Sequence, residues 1–148
     1  MINYNEIHRA YVESDAYLGR KEAGARTPSG KTRWARARMF NDQAYFLMLF
    51  AQLEQRIMQE VVKLVNKKKV LGRWQDRRLW QEAKPDRISF MQKVALLTEK
   101  GQVTYNRMDQ LYHDFRCAIA HGNTAAVGPI FIPTIAAELK RIAGILRA

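Results

Sequence analysis

Apolar residues recur at three- and four-residue steps through most of this sequence, and this spacing restricts the possible folds more than any other feature. Such a period places side chains on one face of an α-helix, whereas a half-buried strand would need strict alternation. The longest segment of this kind runs from about Trp34 to Asn66. Its predicted buried face carries Phe40, Ala44, Leu47, Ala51, Ile57, Met58, Val61 and Val65.

Shorter segments with the same spacing lie on both sides of this predicted helix. A first helix should end near Gly19, and residues 24–32, which contain one proline and two glycines, should form a loop. Side chains that can cap later helices are Asp86, Thr104 and Thr134. We therefore predict one domain over residues 1–148, folded as an all-α, up-and-down bundle of about five helices.

The most regular of these patterns ends where an arginine and a histidine come close in sequence. Its apolar stripe consists of Met108, Leu111, Tyr112, Phe115, Ala118 and Ile119. Gly122 follows as a suitable C′ residue, because glycine adopts the left-handed conformation without a Cβ clash. In a straight helix His121 would lie about 140° round from Arg116 and about 7.5 Å further along. A turn of the backbone at Gly122, or a second copy of the chain in a symmetric dimer, would bring the pair together.

The helix end resembles a motif of a known superfamily. Arg116, four intervening residues, His121 and Gly122 are similar to the arginine–histidine motif of the HEPN superfamily. The segment from Tyr45 to Glu54 also resembles the second conserved helix of that group, which carries an acidic residue in apolar surroundings. The resemblance implies a helical bundle, usually a homodimer. For active members it also implies a metal-independent RNA endonuclease with these two residues in a cleft at the dimer interface.

The chemistry of RNA cleavage suits the two motif residues. Histidine transfers protons near neutral pH, so His121 is the candidate acid and base for the 2′-hydroxyl and the leaving oxygen. Arginine carries a permanent, forked charge, so Arg116 is the candidate clamp for the phosphate. The resemblance further implies products with a 2′,3′-cyclic phosphate, a toxin or antiviral-defence setting, and an antitoxin protein as partner. Without a Cys/His cluster of zinc-ligand spacing, we predict neither a metal nor a cofactor.

Three further residues are candidates for supporting roles. Glu54 falls on the predicted buried stripe and needs a partner, because an unpaired buried charge is costly. It would either join two helices as an ion pair or, by the resemblance, orient Arg116 or His121. His113 is a second candidate proton-transfer group, or else an exposed histidine at an interface. Asn123 would donate to phosphate, or serve as a turn residue.

The charge of the chain indicates a polyanionic partner. With 25 lysines and arginines against 14 acidic residues the net charge is +11, and the pI is about 10.1. RNA is the predicted partner of such a surface. The candidate phosphate-binding cations are Arg33, Arg36, Lys68, Arg73 and Arg77. Trp74 and Trp80 alternate with cations, which fits single-strand binding; alternatively, Trp74 and Leu79 pack into the core.

The single cysteine and the short apolar runs set the expected location. One cysteine excludes an internal disulfide and favours a reducing, cytoplasmic setting. The longest apolar run, Ala44 to Ala51, is far below the roughly 20 residues that span a bilayer, so no membrane partner is expected.

Two other functions remain open. One is a catalytically inactive relative that binds RNA or nucleotides or acts as a scaffold. Cys117 favours it, because the residue after the motif arginine is commonly polar in the superfamily. The other is a helical DNA-binding regulator, although no compact helix-turn-helix spacing is evident.

Overall fold

Two long antiparallel helices form the framework of the computed structural model, which describes residues 3–148. Helix α1 spans Tyr4–Ala23 and helix α2 spans Pro28–Lys69, whose 42 residues make it about 60 Å long. The Oγ1 of Thr27 accepts a hydrogen bond from the N–H of Gly30 at 3.1 Å, and Pro28 occupies the first turn. The loop predicted over residues 24–32 is therefore too long, because its second half already belongs to α2.

The remaining elements pack along these two helices. They are α3 (Trp74–Glu82), a 3-10 turn (Pro85–Arg87), α4 (Phe90–Leu97), α5 (Val103–Gln110), a π-helical segment (Leu111–Cys117), α6 (Ala118–Ala120), a second 3-10 turn (Thr124–Ala126) and α7 (Ile132–Ile145). From α5 to α6 the chain forms one continuous helix. The prediction of an all-α helical bundle is confirmed, and residues 3–148 contain no strand.

The buried face of α2 differs from the prediction in its first half. The buried residues are Gln43, Phe46, Leu49, Phe50, Leu53, Ile57, Glu60, Val61 and Val65, whereas Phe40, Ala44 and Ala51 are exposed. The cause is that this half meets α1 through polar contacts. Arg38 pairs with Asp15 at 2.9 Å, and Tyr11 donates to Asp42 at 3.0 Å. Apolar spacing alone therefore predicts the wrong buried residues in this half of α2, whereas the predicted burial of Ile57, Val61 and Val65 is confirmed.

Several predicted helix ends are also wrong. Helix α1 continues past Gly19 to Ala23. Asp86 lies in a 3-10 turn, and α4 is instead capped by Ser89, which forms a reciprocal capping box with Gln92. Thr104 and Thr134 both lie inside helices, because α5 begins after Gln102 and α7 begins after Phe131.

Helix α7 packs against both long helices, α1 and α2. Its predicted stripe is confirmed, since Ile135, Leu139, Ile142 and Leu146 are all buried. Arg107 of α5 donates to both carboxylate oxygens of Glu138, at 2.7 and 2.8 Å. This double hydrogen bond fixes the helix that carries Arg116 against α7. No helix within residues 3–148 is both long enough and apolar enough to cross a membrane.

Candidate functional site

Aromatic packing positions the helix segment that carries the arginine. The ring of Tyr112 stacks on Phe90 of α4 with centroids 4.6 Å apart, and Phe115 meets Phe46 of α2 at 5.8 Å. Phe50 lies between them, 5.5 Å from Phe90 and 6.4 Å from Tyr112. Because Phe46 and Phe50 are fully buried, these contacts hold the segment in a fixed rotation relative to α2.

The segment Leu111–Cys117 is π-helical, which changes the neighbours of its side chains. In a π-helix the N–H of each residue bonds the carbonyl five residues earlier, so the turn is wider than in an α-helix and residues five apart come close as well as residues four apart. Tyr112 therefore lies beside Cys117. Burial, together with the Cys117 thiol, raises the pKa of Tyr112 above its usual value. Cys117 itself is half-buried and lies on the side of the helix that carries Tyr112.

Arg116 is held on two sides. Its Nε donates to Oε1 of Glu54 at 3.1 Å, and its Cζ lies 5.7 Å from the centre of the Tyr112 ring. The expected pairing of Glu54 with Arg116 is thus present, although Glu54 is half-buried rather than deep in the core. The Arg116 side chain is 34% exposed. Within residues 3–148 its two terminal amino groups donate to no protein atom, which leaves them available to a phosphate.

His121 ends the same helix in an exposed position. The N–H of Gly122 donates to Ile119 at 3.0 Å and that of Asn123 to Ala118 at 2.9 Å, with Gly122 at a φ of +76°. This Schellman motif confirms Gly122 as the C′ residue. The N–H of His121 itself still donates to Cys117 at 3.0 Å, so the histidine remains in helical register.

The expected turn of His121 toward Arg116 is consequently wrong. The backbone leaves the helix only after the histidine, so the two residues stay in one continuous helix, five positions apart in sequence. Within the described part of the chain no hydrogen bond joins their side chains. A single copy therefore presents the guanidinium and the imidazole separately.

The other two supporting candidates lie apart from the arginine. His113 is exposed, with Nε2 3.5 Å from Oδ1 of Asp109, and it lines an open depression of about 430 Å³ that neither Arg116 nor His121 borders. The backbone of Asn123 closes the Schellman motif, and its side chain is exposed. This placement fits a turn residue.

The sequence analysis assigns no role at the site to two residues that position it. Gln43 is buried in α2, and its Nε2 donates to the carbonyl oxygen of Thr124 at 3.2 Å, which anchors the chain just after Asn123. Tyr112 supplies the ring beneath Arg116. The four-residue spacing between Tyr112 and Arg116 indicates that contact in the sequence. The hydrogen bond from Gln43 joins residues 81 positions apart, and no sequence pattern indicates it.

The candidate phosphate-binding cations fall at opposite ends of α2. Arg33 and Arg36 are exposed in its first turns, while Lys68 lies in its last turn, about 50 Å away from Arg33. Arg73 is exposed just before α3. Arg77 donates to the carbonyls of Leu71 at 3.2 Å and Gly72 at 3.4 Å, so its charge supports the backbone after α2.

The predicted core packing of Trp74 and Leu79 is wrong. Trp74 is 50% exposed and Leu79 is 76% exposed, because α3 buries no residue completely and turns Trp80 toward the core instead. The guanidinium of Arg78 lies 5.4 Å from the centre of the Trp74 ring.

Comparison of the chain with protein-family models, with curated proteins and with solved structures finds no match.

Proposed function

We propose that this protein is a metal-independent RNA endonuclease of the HEPN type, with a site composed from two copies of the chain. The observation that carries the proposal is the presentation of Arg116, which Glu54 and the Tyr112 ring hold while its terminal amino groups stay unpaired among residues 3–148. His121 is exposed at the end of the same helix. The net charge of +11 supports a polyanionic substrate.

The proposed reaction uses the nucleophile that RNA itself carries. His121 takes the proton of a 2′-hydroxyl, and the 2′-oxygen then attacks the adjacent phosphorus. The bond from phosphorus to the 5′-oxygen breaks, and His121 returns the proton to that oxygen. Arg116 stabilises the negative charge that builds up on the phosphate oxygens. The products are a 2′,3′-cyclic phosphate and a 5′-hydroxyl.

The separation of the two residues within one chain supports a site shared between copies. In a two-fold dimer each surface meets itself, so the helix end of one copy can approach Arg116 of the other. Each dimer would then hold two equivalent sites, each with the arginine of one copy and the histidine of its mate. From the resemblance we also propose a toxin or antiviral-defence role in the cytoplasm, with an antitoxin protein as partner.

The test is cleavage of end-labelled single-stranded RNA in the presence of EDTA. We expect the wild-type protein to yield fragments with cyclic phosphate ends, and Arg116→Ala and His121→Ala each to abolish cleavage. Arg20→Ala and His8→Ala, which change the same residue types on α1, should leave it unchanged. Retained cleavage in His121→Ala would refute the assigned role.

A second candidate function rests on the Glu54–Arg116 ion pair. The carboxylate 3.1 Å from Nε partly neutralises the guanidinium, and Cys117 follows where the superfamily commonly has a polar residue. Both features suit an inactive relative that binds RNA or nucleotides, or acts as a scaffold. Binding that weakens steeply with salt while the RNA stays intact would select this function.

A further inference from the structure

The end of α2 and the start of α3 form a surface that neither Arg116 nor His121 shares. We call it the α2–α3 corner and define it by Lys67, Lys68, Lys69, Arg73, Trp74 and Arg78. Residues 67–82 contain six lysines and arginines against two carboxylates, so the corner is strongly cationic.

An exposed aromatic ring lies among these charges. Half of the Trp74 surface is accessible, and the guanidinium of Arg78 lies 5.4 Å from the ring centre on one side. Arg78 thereby places a cation where it can meet a phosphate next to anything stacked on the indole. A flat apolar ring with a cation beside it is the arrangement with which proteins hold single-stranded nucleic acid.

The corner has a defined shape because Arg77 supports it. Its guanidinium donates to the carbonyls of Leu71 and Gly72, which connect α2 to α3. Trp80, on the other side of α3, packs against the core. Trp74 and Arg78 consequently project from a helix whose orientation is fixed.

From these contacts we infer that the α2–α3 corner is a subsite for single-stranded RNA, in which a base stacks on Trp74 while Arg73, Arg78 and the lysines hold its phosphates. Base stacking favours a single strand over a duplex, whose bases are already stacked. A membrane surface fits less well, because Leu79 lies about 140° round α3 from Trp74 and the two make no continuous apolar face.

The position of the corner sets a length for the RNA. Lys69 lies 15 residues along α2 from Glu54, or about 22 Å. At roughly 3.4 Å per nucleotide, a fully stacked strand that reaches both Arg116 and Trp74 contains about seven nucleotides. This part of the inference rests on the proposed function, whereas binding at the corner itself does not.

The test measures affinity for a fluorescent 16-nucleotide strand of 2′-O-methyl RNA. This RNA lacks the attacking hydroxyl and therefore stays intact. We expect Trp74→Ala to weaken binding of the 16-mer roughly 5- to 100-fold and Trp74→Phe to retain most of it. Leu79→Ala, an exposed apolar residue on the same helix, is the matched control and should bind as wild type. Arg73→Ala should make the slope of log affinity against log salt concentration shallower by the amount that corresponds to about one phosphate contact.

Three results would overturn the inference. They are unchanged 16-mer affinity in Trp74→Ala, an equal loss in Leu79→Ala, and a Trp74→Ala defect confined to vesicles of phosphatidylcholine with 30% phosphatidylserine. The proposed function is tested separately, by measuring cleavage of the same 16-mer as unmodified RNA. If Trp74→Ala cleaves the 16-mer with a raised KM and an unchanged kcat, both proposals stand. If the wild type never cleaves but Trp74→Ala still loses affinity, only the nuclease proposal fails.

Discussion

At the scale of single residues, Arg116 is the most informative side chain in the molecule. Glu54 accepts from its Nε, and the ring of Tyr112 lies beneath the guanidinium plane. A lysine could keep the charge, but its single ammonium could not contact Glu54 and two phosphate oxygens in the same fixed geometry. The fork of the guanidinium, rather than the charge alone, is what the surroundings hold in place.

We therefore expect Arg116→Lys to lower the rate of RNA cleavage by roughly 100-fold or more, despite the unchanged net charge. The measurement is the single-turnover rate on labelled RNA in EDTA, with Arg20→Lys on α1 as the matched control. A rate within a factor of two of the wild type would mean that Arg116 acts only as a diffuse positive charge.

Gly122 is the second residue whose identity the structure explains. Its φ of +76° lies in the left-handed region, and a Cβ there would meet no atom within 4 Å. The cost of Gly122→Ala is thus conformational, and we expect about 1–2 kcal/mol of lost stability from chemical denaturation. Gly144→Ala in α7, also in open space but without a positive φ, should be neutral or stabilise by about 0.5 kcal/mol. Equal effects at both glycines would contradict the assignment of the helix end.

At the scale of elements, the sequence predicts those helices whose buried faces are apolar. The stripes of α7 and of the segment ending at Ile119 match the structure because burial there follows hydrophobicity. The first half of α2 fails since Arg38, Asn41 and Asp42 face α1 and leave Phe40 exposed. The π-helical turn is also missed, because its side-chain pattern satisfies an α-helix equally well.

The candidate site likewise contains features that the sequence predicts and features that it does not. Gly122 at C′ is predictable as local chemistry. The pairing of Glu54 with Arg116 is expected only through the resemblance, since a charge that needs a partner does not identify which residue the partner is. The place of His121 is not predictable, because glycine permits a turn without fixing where the helix ends. The backbone hydrogen bonds that the N–H groups of His121, Gly122 and Asn123 donate determine where the helix ends.

The Arg107–Glu138 pair between α5 and α7 gives a prediction with a defined pH dependence. Arg107 holds the pKa of Glu138 below its usual value, so the pair stabilises the fold above the pKa of about 4.3 that an unfolded glutamate has. This contribution is lost as the pH falls through the lowered pKa of the folded state. We expect Glu138→Gln to cost roughly 1–2 kcal/mol at pH 7 and progressively less as the pH falls below about 4.3.

Urea unfolding of the wild type and of Glu138→Gln at several pH values measures this effect. Glu99→Gln, which alters an exposed glutamate, should show no comparable pH-dependent difference. A Glu138→Gln penalty that is the same at pH 3 and pH 7 would contradict the ion pair as its source.

At the scale of the whole molecule, the candidate sites lie at different positions along the long helix α2. Glu54 lies near its middle with Arg116, the α2–α3 corner lies at one end, and Arg33 and Arg36 lie at the other. Within residues 3–148 of one copy no hydrogen bond joins the side chains of Arg116 and His121. The central claim is accordingly that the reacting pair comes from two copies, and it makes a prediction that no single-chain site would share.

The most direct measurement of that claim mixes Arg116→Ala and His121→Ala under conditions that exchange subunits. Each variant alone should be inactive. Half of the dimers in an equal mixture pair one variant with the other, and each of these holds one site with both native side chains, so we predict about a quarter of the wild-type cleavage rate. A mixture that stays inactive while the wild type cleaves the same RNA would contradict a site shared between two copies.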